Sequence, residues 1–163
     1  MDKTTKSLAD MGATGPRSGR HGDPDFGVLP ELLGYQLRRA QVRLFQHFAE
    51  TLGHYDITPG QLGLLILISR NPDISQTALA RAAGIERSTL GEVVGGLEKR
   101  GLVTRRHMPD DRRSYALRLS RKGTRTLNRM LPDAHAHERD FTAQLSESER
   151  RTLLALLRRL TET

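Results

Sequence analysis

The chain has 163 residues, a formal net charge of +7 and no cysteine. That length suits one principal core with additional elements, and the missing cysteine excludes a disulfide framework, a thiolate metal site, a cysteine nucleophile and a thiol redox sensor. No run of about 18 apolar residues could span a bilayer, and the polar N-terminal stretch lacks the layout of a secretion signal, so a cytoplasmic protein without a membrane partner is expected.

Residues 1–29 are rich in Gly, Pro, Ser and Asp and lack apolar periodicity before Phe26 and Val28, which predicts a flexible arm. From Leu32 onward the pattern changes. Leu33, Leu37, Ala40, Leu44, Phe48 and Leu52 recur at spacings of three and four, the signature of one face of a long helix ending near Gly53. Arg38, Arg39 and Arg43 fall off that stripe. At Thr58-Pro59-Gly60-Gln61, a hydroxyl cap precedes a proline at the first helical position and the glutamine of a capping box. A second helix is therefore predicted over about residues 59–69. Leu62 and the run Leu64 to Ile68 make it apolar nearly all round, so it should be the most buried.

The segment ISQTALARAAGIERSTLGEVVGGLEKRGLV reads as two short helices joined by a tight turn. Ser75 caps the first, Leu79 and Ala82 form its inward face, and Gly84 ends it where a left-handed residue is needed. The second runs from about Arg87 to Arg100, with Leu90, Val93, Val94 and Leu97 inward and Gly101 as its stop. The opposite face carries Arg87, Ser88, Gly91, Glu92 and Gly95, all small or polar. A glycine costs a helix about 1 kcal/mol relative to alanine, so Gly91 and Gly95 imply a close neighbour there, either a DNA backbone or another helix.

After Gly101, LVTRRH and SYALRL have the lengths and residue types of two antiparallel strands joined by the loop MPDDRR. This is also where the charge lies: residues 70–125 carry thirteen basic against six acidic side chains, while the rest of the chain is balanced. A compositional bias would spread its excess evenly, so the localisation points to a polyanionic partner. A helix in the major groove reads base edges, and a basic hairpin beside it can enter the adjacent minor groove, where negative potential attracts arginine. Arg105, Arg112 and Arg113 are the candidate contacts. Asp110 or Asp111 beside them can hold a guanidinium in one pose; the competing reading is a solvated turn whose charges compensate one another.

Ser120 should cap a helix through Thr124, Leu127 and Leu131, bent near Pro132. A second capping box, Ser146 to Glu149, opens the last helix. Leu153, Leu154, Leu156, Leu157 and Leu160 make that helix too apolar to stand alone, and a two-fold dimer would set two recognition helices roughly 34 Å apart. His135, His137 and Glu138 resemble a sparse metal cluster, but the spacing does not bring all three to one helix face and no fourth ligand accompanies them, so no metal or other cofactor is expected. No G-x-S-x-G, glycine-rich phosphate loop or carboxylate cluster is present, and an enzyme is not expected.

The order of a long helix, TPGQLGLL, SQTALARAAGI, RSTLGEVVGGLEKRGLV and DDRRSYALRLSRKG resembles the multiple antibiotic resistance regulator (MarR) family of bacterial transcription factors over residues 30–162. LEKRGLV followed by D-x-R-x-x-x-L-x-L-S-x-x-G from Asp111 to Gly123 is the most specific part. The resemblance implies a mainly α (α+β) fold, a six-helix winged helix-turn-helix with a two-stranded β-wing, in an interlocked homodimer. Residues 57–119 would bind DNA and residues 30–56 and 120–163 would dimerise. It implies that Arg113 enters the minor groove supported by Asp111, that Arg87, Ser88 and Thr89 begin the base-reading helix, with Gly91 and Glu92 on the same face, and that phosphate contacts lie near Ser75 and Gln76. It further implies repression of a pseudo-palindromic operator, relieved by a small aromatic or phenolic carboxylate, or its coenzyme A thioester, in a cavity lined by Tyr35, Arg38, Arg39, His47, Tyr55 and Gln61. The bland alternative for these arginines is surface pairing with Glu50 or Asp56. Two other classes fit the basic window: a non-sensory winged-helix nucleic-acid-binding or architectural module, and an adaptor for an acidic protein.

Overall fold

A computed structural model of the protein describes residues 24–107 and 115–162. Among them are six α-helices and three short strands: α1 Leu33–Leu52, α2 Pro59–Arg70, β1 Ile74–Ser75, α3 Gln76–Ala83, α4 Arg87–Lys99, β2 Val103–His107, β3 Tyr115–Leu119, α5 Arg121–Phe141 and α6 Glu147–Thr161. This is the winged helix-turn-helix expected from the sequence, with one strand more.

The helix starts follow from local chemistry. Thr58 accepts from the Gln61 amide while Gln61 Oε1 accepts from the Thr58 amide, the reciprocal capping box, with Pro59 at the first position of α2. Ser146 and Glu149 repeat the arrangement at α6. Ser75 and Ser120 cap α3 and α5 by accepting from Ala78 and Gly123. Gly84 ends α3 at φ 65°, a conformation that costs glycine nothing. At Gly123 the requirement is space rather than torsion: a Cβ would collide with the Leu102 carbonyl, so glycine lets the first turn of α5 close on the start of the wing.

The chain divides into two units, one ending at Leu37 and one beginning at Arg38. In the first, Leu29–Glu31 form a 3-10 turn, Gln36 Nε2 donates to the Pro30 carbonyl at 2.6 Å, and the Phe26 and Tyr35 rings lie 6.4 Å apart. Residues 1–23 of the expected arm lie outside the described residues.

In the second unit, α2 packs against α3, α5 and β3. Leu62, Leu64, Leu65 and Ile68 of α2 are buried with Leu79, Leu90, Val94, Leu97, Leu117, Leu127 and Met130. Burying each large apolar side chain stabilises the fold by about 1.5–3 kcal/mol, so α2 is the hub of the core. The strands run in the order β1-β3-β2, all antiparallel, with Val103 opposite Leu119 through His107 opposite Tyr115. The added strand is β1, where Ile74 and Ser75 pair with Leu117 and Ala116.

One expectation changes. Ala82 is exposed; Leu79 and Ala80 form the buried face of α3, because neighbours at i and i+1 flank the contact with α2 and α4. Val93, expected to face inward, is half-buried and packs against the core. Pro132 lies inside α5, which continues for nine residues beyond it; Pro132 and Asn128, whose carbonyl loses its helical donor, are both exposed, where solvent can satisfy that carbonyl.

Candidate nucleic-acid interface

Helices α3 and α4, joined through Gly84, Ile85 and Glu86, form the helix-turn-helix. Arg87, Ser88 and Thr89 fill the first turn of α4 and are exposed, as is Glu92 one turn on. That end of the helix also presents amide donors and the positive end of the helix dipole, a setting suited to an anionic backbone. Glu86 supplies no side-chain cap there. Ser75 and Gln76 are half-buried, and the Ser75 hydroxyl is engaged as the α3 cap.

The two glycines of α4 have different neighbours. A Cβ on Gly91 would sit 3.2 Å from Gln76 Nε2, tighter than ordinary packing, so Gly91 makes room for the Gln76 side chain. A Cβ on Gly95 would lie 4.0 Å from an Arg105 guanidinium nitrogen, an ordinary contact. Gln76 belongs to α3, so within the chain the neighbour of Gly91 is a side chain of the other helix of the pair.

The wing arginines separate by face. Arg105 points inward: its Nε is 3.3 Å from Glu98 Oε2 on α4, its guanidinium carbon is 5.1 Å from the centroid of the Tyr115 ring, and its side chain is 20% exposed. The proximity to Glu98 is Coulombic, since Nε makes no aligned hydrogen bond. Arg106 and Arg118 point outward, and both reach Asp73 in the turn before β1. Arg118 donates through two guanidinium nitrogens to the two Asp73 oxygens, and Arg106 donates to Oδ1 at 3.2 Å. The Arg118 hydrogen bonds foremost hold the Asp73 carboxyl below its ordinary range, against an opposing effect of burial and with the Arg106 hydrogen bond third in size. Sequence reasoning singled out Arg105 but neither Asp73, Arg106 nor Arg118; the cross-strand alternation of β2 and β3 was the available signal. Asp111, Arg112 and Arg113 lie outside the described residues.

Of the six candidate effector residues, Gln61 lines one cavity and His47 pairs with a residue that lines another. Tyr35 belongs to the first unit. Arg38 and Arg39 are exposed. Tyr55 donates its hydroxyl to Asp133 Oδ2 at 2.7 Å and to the Arg129 carbonyl at 3.0 Å, and the bond to Asp133 raises its pKa. Gln61 is held by its capping box, on the wall of a 440 Å³ cavity with Phe45, Ile57 and Arg100. His47 Nδ1 lies 2.6 Å from Nδ1 of His137, which is buried at 4% exposure and pushed down in pKa by burial first and by His47 second. His137 in turn lines a second, more apolar cavity of 280 Å³ with Leu44, Phe48, Leu62, Ile66 and Leu131. The sequence offered no signal for this pair, whose members stand 90 residues apart. Among the described residues no group of three or more potential ligands could hold a metal ion.

Residues 57–115 match the model of the MarR family. Over 135 residues the chain is 43% identical to a protein of Thauera aromatica assigned as transcriptional regulatory protein for the hcr operon, spanning 82% of this chain and 81% of that one. This chain belongs to the MarR family. The MarR-family repressor CouR, solved on a 23-mer DNA duplex, superposes with a TM-score of 0.80 at 38% identity, covering 86% of this chain and 99% of CouR. CouR bound to p-coumaroyl-CoA gives 0.79 at 35% identity with the same coverage. MarR-family proteins are DNA-binding transcriptional regulators rather than enzymes, and the exposed α4 turn and basic wing are the parts such a regulator needs. No described helix is long and apolar enough to cross a membrane.

Proposed function

We propose that the protein is a homodimeric repressor that binds a pseudo-palindromic operator and is released by a small aromatic or phenolic carboxylate or its coenzyme A thioester. In this reading residues 57–119 contact DNA, residues 30–56 and 120–163 build the dimer, and residues 1–29 are an arm outside both. Arg87, Ser88, Thr89, Gly91 and Glu92 present the base-reading face of α4 to the major groove. Ser75 and Gln76 approach the phosphates at the start of α3. Arg113, oriented by Asp111 and flanked by Arg112, enters the minor groove. Arg105 acts from behind, bracing the wing on α4 through Glu98.

The observation that carries the DNA reading is the exposed, basic first turn of α4 beside a basic wing, within a fold shared with CouR on DNA. The effector half draws support from the p-coumaroyl-CoA complex of CouR and from the apolar cavity beside His137, which suits an aromatic ring. Footprinting on the DNA flanking the protein's own gene, repeated with a panel of aromatic acids and their thioesters, tests both halves. The expected result is a protected pseudo-palindrome lost with one member of the panel. Equal affinity for any duplex would contradict sequence-specific repression, and Arg113→Ala should weaken operator binding by about 1–3 kcal/mol, with a loss well below that range removing the minor-groove role.

A further inference from the structure

Asp73 stands apart from the residues so far assigned to DNA. It lies in the turn between α2 and β1, at φ 65°, one of two described non-glycine residues with positive φ. Non-glycine residues rarely adopt that conformation without a reason, although aspartate and asparagine tolerate it best. Its backbone is tied into the sheet: the Asp73 amide donates to the Leu117 carbonyl at 3.0 Å, and Ile74 donates back to Asn71 at 3.1 Å. The left-handed turn sets the carboxylate beside the outward face of β2 and β3.

On that face Arg106 and Arg118 sit on adjacent strands, Arg118 opposite Thr104 and Arg106 opposite Ala116. One carboxylate thus joins three segments: the turn after α2, and both strands of the wing. Isolated surface ion pairs contribute little, but this one is forked at Arg118 and shared with a second arginine, the geometry in which such pairs do hold position. Without Asp73, two like charges on neighbouring strands of the wing would repel each other. Glu98 contacts Arg105 on the opposite face of the wing.

We propose that Asp73 is a positioning residue for DNA recognition: it clamps Arg106 and Arg118 and thereby fixes the angle at which the wing leaves the body of the protein. This rests on the operator-binding reading above. Asp73 touches no DNA in this role; it acts through the two arginines and the strands that bear them.

Asp73→Asn separates this role from simple charge, because asparagine keeps the shape and tolerates the left-handed backbone while removing the carboxylate. Loss of a negative charge from a DNA-facing region should by itself tighten binding to every duplex. A positioning role predicts the reverse for the specific site. The probes are the duplex footprinted beside the protein's own gene and the same duplex with its bases scrambled. We expect Asp73→Asn to bind the footprinted duplex about fivefold more weakly, with scrambled DNA bound as well as by wild type or better, and with an unchanged melting temperature. In the double-mutant cycle with Arg118→Gln, the two losses should be strongly less than additive. Asp73→Asn binding both duplexes equally or more tightly than wild type, or strictly additive losses, would overturn the clamp. Wild-type protein that fails to distinguish the duplexes would instead overturn the operator-binding reading, and the clamp with it.

Discussion

In α2, α3, α4 and the sheet, the apolar stripe is closed by the chain itself: Leu65, Leu79, Leu90, Leu97 and Leu117 are all at 0% exposure. In α6 the same residue type at the same helical spacing stays open, with Leu156 at 49% and Leu160 at 61%, and α6 makes no extensive contact with any other element. Val42 and Phe45 on α1 are exposed as well. The two regions obey one sequence rule and differ in who supplies the partner. A period of 3.6 residues reports that a face is apolar; it does not report whether the covering surface lies in the same chain. An uncovered leucine stripe of this extent is the kind of surface that a second subunit buries.

The largest expected effect comes from attacking the open face. Leu156→Asp combined with Leu160→Asp places four carboxylates in the proposed dimer interface, where each lost leucine removes about 1.5–3 kcal/mol of burial. Sedimentation should then show a monomer at micromolar concentration, with operator binding lost by about a hundredfold or more, while the winged-helix part keeps its circular dichroism. An unchanged dimer would show that the α6 leucines do not form the subunit interface. The closed region should respond oppositely: Leu65→Ala is expected to lower unfolding stability in urea by about 2–5 kcal/mol while leaving the association state unchanged.

The smallest effect is a pH dependence. His137 is buried and its pKa is lowered from 6.5, so the folded state resists a proton that the unfolded chain accepts. Native stability should therefore be full above pH 6.5 and decline as the pH falls below that value toward the depressed folded pKa. His137→Phe removes this titration, and its unfolding midpoint should change less over the same window. A wild-type slope identical to that of the variant would exclude His137 as its source.

Much of the architecture is legible in the chain because it is set locally. Thr58 with Gln61, Ser146 with Glu149, and the serines at 75 and 120 each satisfy amide groups within three residues, so their side-chain type announces a helix start. Gly84 needs only its own torsion. What sequence reading missed is non-local. β1 is two residues long, too short for any alternation, and exists because β3 pairs with it from more than forty residues away. Ala80 rather than Ala82 lies on the buried face of α3, a choice between small residues that periodicity cannot rank. The His47–His137 pair and the arginines on Asp73 are likewise joined only by the folded chain. Tyr55 and Gln61, two of the candidate effector residues, also hydrogen-bond within the protein's own structure, Tyr55 to a carboxylate far along the chain and Gln61 in its local capping box.

In the proposed dimer, two-fold symmetry repeats one basic wing and one exposed α4 turn at the period of a duplex. Hydroxyl-radical footprinting on the operator tests it most directly. Two protected segments centred about one helical turn apart, roughly 34 Å, on one face of the DNA are predicted. A single protected segment, or protection with no such spacing, would contradict it.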